Sequence, residues 1–158
     1  MKNEKTFLMY KLLVLIAICL SGCSSGNDDS LEQQQEDEVT LEGNYRGTWS
    51  STTASATFSN VSVSAKLQFG GADNILTGSF FISSDYTVCC SAGENDGTLV
   101  IDFDGDTITS FNYNDVITNC SGTFNGTGHI RTSDKALVID FTGNDCDGDH
   151  VGQIVLIK

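Results

Sequence analysis

The chain has 158 residues, 8 of them basic and 21 acidic, for a formal charge of −13. A field of that sign repels nucleic acid and anionic lipid surfaces, so it excludes a nucleic-acid partner and favours cationic ones. Proline is absent and glycine occurs 16 times, which leaves the turns to Gly, Asn and Asp.

The first element is a basic start (Lys2, Lys5, Lys11) followed by an apolar run from Leu12 to Leu20. The run is too short for the ~30 Å hydrocarbon core, which takes ~20 residues to cross. Leu20-Ser21-Gly22-Cys23 closes it. This order of charge, apolar segment, small residues and cysteine resembles a bacterial lipoprotein signal peptide. The resemblance implies that residues 1–22 are removed, that Cys23 is acylated, and that the membrane is a partner through N-terminal acyl chains. It places the protein in the cell envelope, lipid-anchored at the outer membrane, with the cell surface as an alternative. Loss of Lys2, Lys5, Lys11 and Glu4 leaves 5 basic and 20 acidic residues, a net −15.

Residues 23–42 are expected to be a lipidated, flexible acidic tether. Residues 24–42 hold seven acidic side chains and few apolar ones. Such a segment cannot bury enough surface to offset its ordering entropy, and its charges repel one another. Asp28 and Asp29, soon after the lipid cysteine, resemble the surface-export signal of some Gram-negative lipoproteins. A plain acidic spacer explains them equally.

Residues 43–158, 116 in number, suffice for one small domain. Its period is two. Val61, Val63, Ala65, Leu67 and Phe69 alternate with Ser62, Ser64, Lys66 and Gln68, the pattern of a half-buried strand. Leu76, Gly78, Phe80 and Ile82 repeat it, as do Leu99, Ile101 and Phe103, and Leu137, Ile139 and Phe141. Val151 to Ile157 forms the last strand. Turn signals at residues 70–74, 93–97, 104–106 and 133–135 separate these runs. Asp104-Gly105 predicts a two-residue type I′ hairpin. The fold class is therefore all-β, an antiparallel up-and-down meander of roughly eight strands. Closure into a small barrel hides its edges best, and a β-sandwich is the alternative.

Once Cys19 leaves and Cys23 is acylated, four cysteines remain, and outside the cytoplasm they should be oxidised. A hairpin closed near Ser133-Asp134 pairs residues whose numbers sum to about 267. Cys120 then lies one position from being opposite Cys146, which predicts a Cys120–Cys146 disulfide. Bridging that loop would stabilise by ~3 kcal/mol in the chain-entropy picture. Cys89 and Cys90 either join each other or cross-pair with the other two. The local staple and a redox role are both consistent with their adjacency.

Little here points to catalysis. The only histidines are His129 and His150, and G-x-S-x-G does not occur. Abundant Ser and Asp make a Ser-His-Asp match cheap. Zinc would need a second cysteine pair at metal spacing beside Cys146 and His150. Asp102, Asp104 and Asp106, and Asp145, Asp147 and Asp149, resemble calcium-loop fragments, yet Thr107 and His150 stand where an EF-hand loop needs glycine. Weak oxygen-rich calcium binding is the alternative to hairpin turns there. No cofactor is implied.

Gly47-Thr48-Trp49 resembles the G-x-W motif that opens lipocalin-like barrels, and Trp49 is the only tryptophan. The glycine-rich stretch from Gly122 to Gly128 resembles small lipocalin-like lipoproteins. The resemblance implies a first strand bent at Gly47, a barrel end plugged by Trp49, and inward Gly126 and Gly128 letting the wall bend. It implies a non-catalytic module that holds a small apolar or amphipathic ligand among Trp49, Val63, Leu67, Phe80, Leu99, Ile101, Ile139 and Phe141. The alternative is an envelope interaction or inhibitor protein that binds a cationic protein such as lysozyme or a protease.

Overall fold

The computed structural model describes residues 40–90 and 95–158. Cys23, the signal segment and most of the tether lie outside these residues. Eight strands follow in order: β1 (Gly43–Thr52), β2 (Thr57–Phe69), β3 (Ile75–Phe81), β4 (Gly97–Asp104), β5 (Thr107–Asp115), β6 (Gly122–Ile130), β7 (Leu137–Asp145) and β8 (Gly148–Ile157). Each pairs antiparallel with the next, and β8 returns to β1. The sheet is a closed up-and-down barrel, not a sandwich. That architecture is consistent with a small lipocalin-like barrel.

Alternation sends one face of every strand inward. Tyr45 and Trp49 of β1 meet Val63, Ala65 and Leu67 of β2, Leu76 and Phe80 of β3, and Leu99 and Ile101 of β4. Ile108, Phe111, Tyr113, Phe124, Ile139, Phe141, Ile154 and Leu156 complete the core. Closure brings backbones close at the seam. A Cβ on Gly47 would overlap the carbonyl oxygen of Val155 across β8, so only glycine fits there. Gly126 and Gly128 likewise lie against the carbonyls of Asp140 and Val138. Their role is close approach between β6 and β7.

The chain enters at a near end, which also holds the links 70–74, 105–106 and 131–136. The far end holds links 53–56, 116–121 and 146–147, and from it the link between β3 and β4 leaves and returns. The hairpin between β4 and β5 turns on Gly105 and Asp106, with Asp104 paired to Thr107. Gly105 alone has positive φ, 56°, the requirement of a II′ turn and not of the expected I′ turn. The expected glycine is used, one position earlier in the turn, at its first central residue. The β6–β7 register matches expectation: Thr123 faces Asn144 and Ile130 faces Leu137.

Leu41 and Glu42, assigned to the tether by composition, are held by the barrel. Leu41 packs on the core. Its carbonyl accepts the Tyr45 hydroxyl at 2.6 Å, and the Glu42 carboxylate accepts the Phe69 N–H at 2.7 Å. Burial pushes the Tyr45 phenol up to about 12.

Between β3 and β4 the described part of the link folds back along the outside of β2. The Tyr86 N–H donates to Ser64 Oγ at 3.2 Å. The buried Asp96 carboxylate collects the N–H groups of Ile82 and Cys89 at 2.8 and 3.0 Å. Cys89 and Cys90 are joined to each other, and Cys120 to Cys146 with Cα atoms 4.7 Å apart. The second bridge ties the link 116–121 to the tight β7–β8 turn. Replacing Cys120 and Cys146 together by serine should lower unfolding free energy by about 3 kcal/mol. Urea denaturation would show this as a lower midpoint.

Candidate functional site

The inward residues at the far end of β1 and β8 are polar. Trp49 Nε1–H donates to Ser51 Oγ at 2.8 Å, Ser51 Oγ lies 2.9 Å from His150 Nδ1, and His150 Nε2 lies 3.0 Å from Asp145 Oδ1. The chemistry of the groups sets the direction. Tryptophan can only donate and a carboxylate can only accept, so in the neutral imidazole that gives its N–H to Asp145, Nδ1 accepts the Ser51 hydroxyl proton. A bulge where β1 meets β2 adjusts the wall here. Asn60, the extra residue in β2, sits at φ 52° and donates its N–H to Ser50 Oγ. Phe58 stacks on His150 at 5.3 Å, and Phe124 meets it edge-on at 5.6 Å.

Ser51, His150 and Asp145 thus form a serine–histidine–carboxylate chain that spacing along the sequence did not single out. Ser51 and His150 stand 99 positions apart. The usable signal is that both fall on inward positions of the first and last strands, which closure makes neighbours. Ser51 is 4% exposed and His150 3%. With the indole N–H also on its oxygen, the buried Ser51 hydroxyl braces Trp49 and His150.

Carboxylates cluster around this chain. Asp96 and Asp115 are buried, and Asp145 is nearly so. Burial first, then the charges of Asp145 and Asp96, push Asp115 up to about 6, against the Ile117 N–H it accepts at 2.8 Å. The Tyr113 hydroxyl donates to the Asp96 carbonyl at 3.4 Å. Its pKa is raised by burial and then by Asp115. Outside Asp115, a groove of about 320 Å3 is lined by Asn114, Ser121, Gly122, Thr123 and Asn144. Asp147 and Asp149 are exposed on the same rim.

The eight residues expected to line a ligand cavity all belong to the packed core. Trp49 lies 4.2 Å from Phe141 and 4.9 Å from Phe124 between ring centroids, and is 7% exposed. A barrel remains compatible with ligand binding, but an interior ligand would have to displace this cluster. The two acidic triplets lie at opposite ends: Asp102, Asp104 and Asp106 on the near hairpin, Asp145, Asp147 and Asp149 at the far one. Asp106 faces Lys135 at 3.7 Å, and Asp149 accepts the Asn144 amide at 2.8 Å. Asp145 and Asp147 approach Cys120 and Cys146, whose sulfurs are bonded to each other and offer no thiolate to a metal.

Charge divides along the barrel axis. The basic residues of the domain, Arg46, Lys66, Arg131, Lys135 and Lys158, belong to the near half or its links. Among the described residues the far rim carries Asp96, Asp115, Asp145, Asp147 and Asp149 and no Lys or Arg. Protein-family models, curated proteins and solved structures were all compared with the chain, and none matches.

Two outcomes follow for this end. Ser51→Ala strands the Trp49 N–H and His150 Nδ1, and should cost about 1–3 kcal/mol with a change in near-ultraviolet circular dichroism. Asp115 keeps its proton in the folded state above the pH at which it ionises when unfolded. The folded chain then binds more protons between pH 3.8 and about 6. Asp115's contribution to stability therefore falls as pH rises through that window and is level above it. Asp115→Asn should remove that slope and raise stability at neutral pH by about 1 kcal/mol after allowance for solvent screening. Thermal unfolding at both ends of the window checks the sign.

Proposed function

We propose that the chain is a lipid-anchored, non-catalytic binding module of the cell envelope whose far end receives a cationic protein partner. The observation that carries this reading is the segregation of charge. The end at which the chain enters β1 holds the cations, and among the described residues the opposite rim is acidic without a Lys or Arg. Such a rim speeds encounter with a basic surface and sets its orientation. Val116 and Val151, 51% and 64% exposed near the same end, supply apolar contact beside the charges. The G-x-W motif and the closed barrel support membership of the lipocalin-like group, and the lipobox around Cys23 supports acylation. An interior apolar ligand is the weaker reading, because its lining residues pack on one another.

Titration with lysozyme and with basic proteases, each against a basic protein of matched charge, tests the partner class. Specific binding should weaken with salt, and Asp147→Asn with Asp149→Asn should weaken it by about tenfold. Binding no tighter than the matched control would remove the reading. For the anchor, intact mass should show cleavage before Cys23 with added acyl chains, and Cys23→Ala should abolish both.

A further inference from the structure

Two of the five domain cations are neutralised locally: Arg131 by Asp134 at 2.6 Å and Lys135 by Asp106 at 3.7 Å. The Arg131 contact holds the Asp134 carboxyl down at about 2. Arg46, Lys66 and Lys158 make no ion pair among the described residues, although acids outnumber bases throughout. They converge on one place, the outer wall of β1. The Arg46 guanidinium lies over the Tyr86 ring at 5.1 Å, and Lys66 Nζ lies 5.5 Å from the same ring. Lys158, whose ammonium donates to the Thr40 carbonyl at 2.7 Å, lines a groove of about 350 Å3 together with Asn44, Arg46, Thr48, Tyr86 and Ile157. That volume falls within the ~300–1,000 Å3 usual for small-molecule sites.

The arrangement is built. Arg46 Nε–H donates to the Ser84 carbonyl at 2.8 Å, which with the ring below fixes the guanidinium plane and leaves both Nη groups without a described partner. Tyr86 holds its ring there from a left-handed backbone, φ 56°, a conformation rarely taken by a bulky side chain. Its N–H is pinned to Ser64 Oγ. The acids nearest in sequence do not neutralise the groove: Glu42 is engaged by the Phe69 N–H, and Asp85 pairs with none of the three cations.

We propose that this groove binds an oxyanion: a phosphate carried on a sugar- or glycerol-sized polar group. The free Nη edge of Arg46 is a two-pronged donor matched to two phosphate oxygens. Lys158 adds charge to the groove lining, and Asn44 and Thr48 supply neutral hydrogen bonds to the polar body. Tyr86 is a positioning residue. It immobilises the guanidinium before the ligand arrives, so less rotamer freedom is lost on binding. Lys66 adds charge over the same ring. The phosphate can come from a free metabolite or from a lipid head group, and the site chemistry is the same for both.

The test uses the full-length chain in detergent micelles and follows backbone amide shifts in ¹H–¹⁵N spectra. Inorganic phosphate and glycerol 3-phosphate are the soluble probes. Phosphatidylcholine nanodiscs with and without phosphatidic acid are the lipid probes. Saturable shifts confined to Arg46, Thr48, Tyr86 and Ile157 are expected. Arg46→Gln should weaken the responding probe about tenfold or more, Lys158→Gln should weaken it less, and Arg131→Gln should leave it unchanged. A response to the soluble probes assigns a free phosphate, and a response only to phosphatidic acid assigns a head group. Absence of saturable shifts with every probe overturns the proposal. Equal weakening by Arg131→Gln and Arg46→Gln also overturns it, because that marks general charge attraction.

Discussion

A sheet of eight strands keeps two open edges until β8 bonds back to β1, and the rest of this molecule depends on that seam. From Arg46–Ile157 to Thr52–Val151 the two strands pair continuously. Two different devices hold them. At mid-strand, the missing side chain of Gly47 lets the β8 backbone come within reach. Toward the far end, the Trp49–Ser51–His150–Asp145 chain crosses from β1 through β8 to the last residue of β7. The first is steric and the second is polar. Trp49 belongs to both, as part of the G-x-W motif and as donor to the chain. The aromatic cluster around it exists only because closure brings β1 opposite β5, β6 and β7.

The parts of this fold legible in the sequence are those set by local pattern. Alternation at period two located the strands. Counting outward from a single turn at residues 133–135 placed Cys120 beside Cys146, because an antiparallel hairpin has one register once its turn is known. Local pattern also misled in one place. Asp104-Gly105 has the composition of a type I′ turn, but the ladder closes at Asp104–Thr107 and moves the glycine into the first central position. Composition likewise placed Leu41 and Glu42 in the tether, and only the folded barrel offers Leu41 an apolar surface and Glu42 the free N–H of Phe69. The Ser51–His150–Asp145 chain could not be reached by spacing, since its members meet only after the first and last strands join. The cation groove was invisible for a related reason. It needs a link that leaves the far end and folds back over β2 to bring Tyr86 onto Arg46.

The acidic excess is arranged and not merely tolerated. Asp96 is buried without a cation and is satisfied by backbone N–H groups, so it orders the β3–β4 link as a hydrogen-bond acceptor. Asp115 adapts in another way, holding its proton to a higher pH. Asp147 and Asp149 remain in water, where charge costs little. One residue type therefore serves as strut, as titrating group and as surface charge along a single rim, and burial decides which.

The place where the chain enters the barrel has a mechanical consequence. The chain joins the barrel at β1, and β1 is hydrogen-bonded along both sides, to β2 and to β8. A pull on the chain ahead of β1 would be shared by two ladders loaded in shear, so many weak bonds would have to yield together instead of unzipping one by one. The Lys158 ammonium, donating to the Thr40 carbonyl at 2.7 Å, adds a cross-tie at the point where such a load arrives. Under the proposed anchoring, drag would act through a first strand that is bonded on both sides and not through a free edge strand.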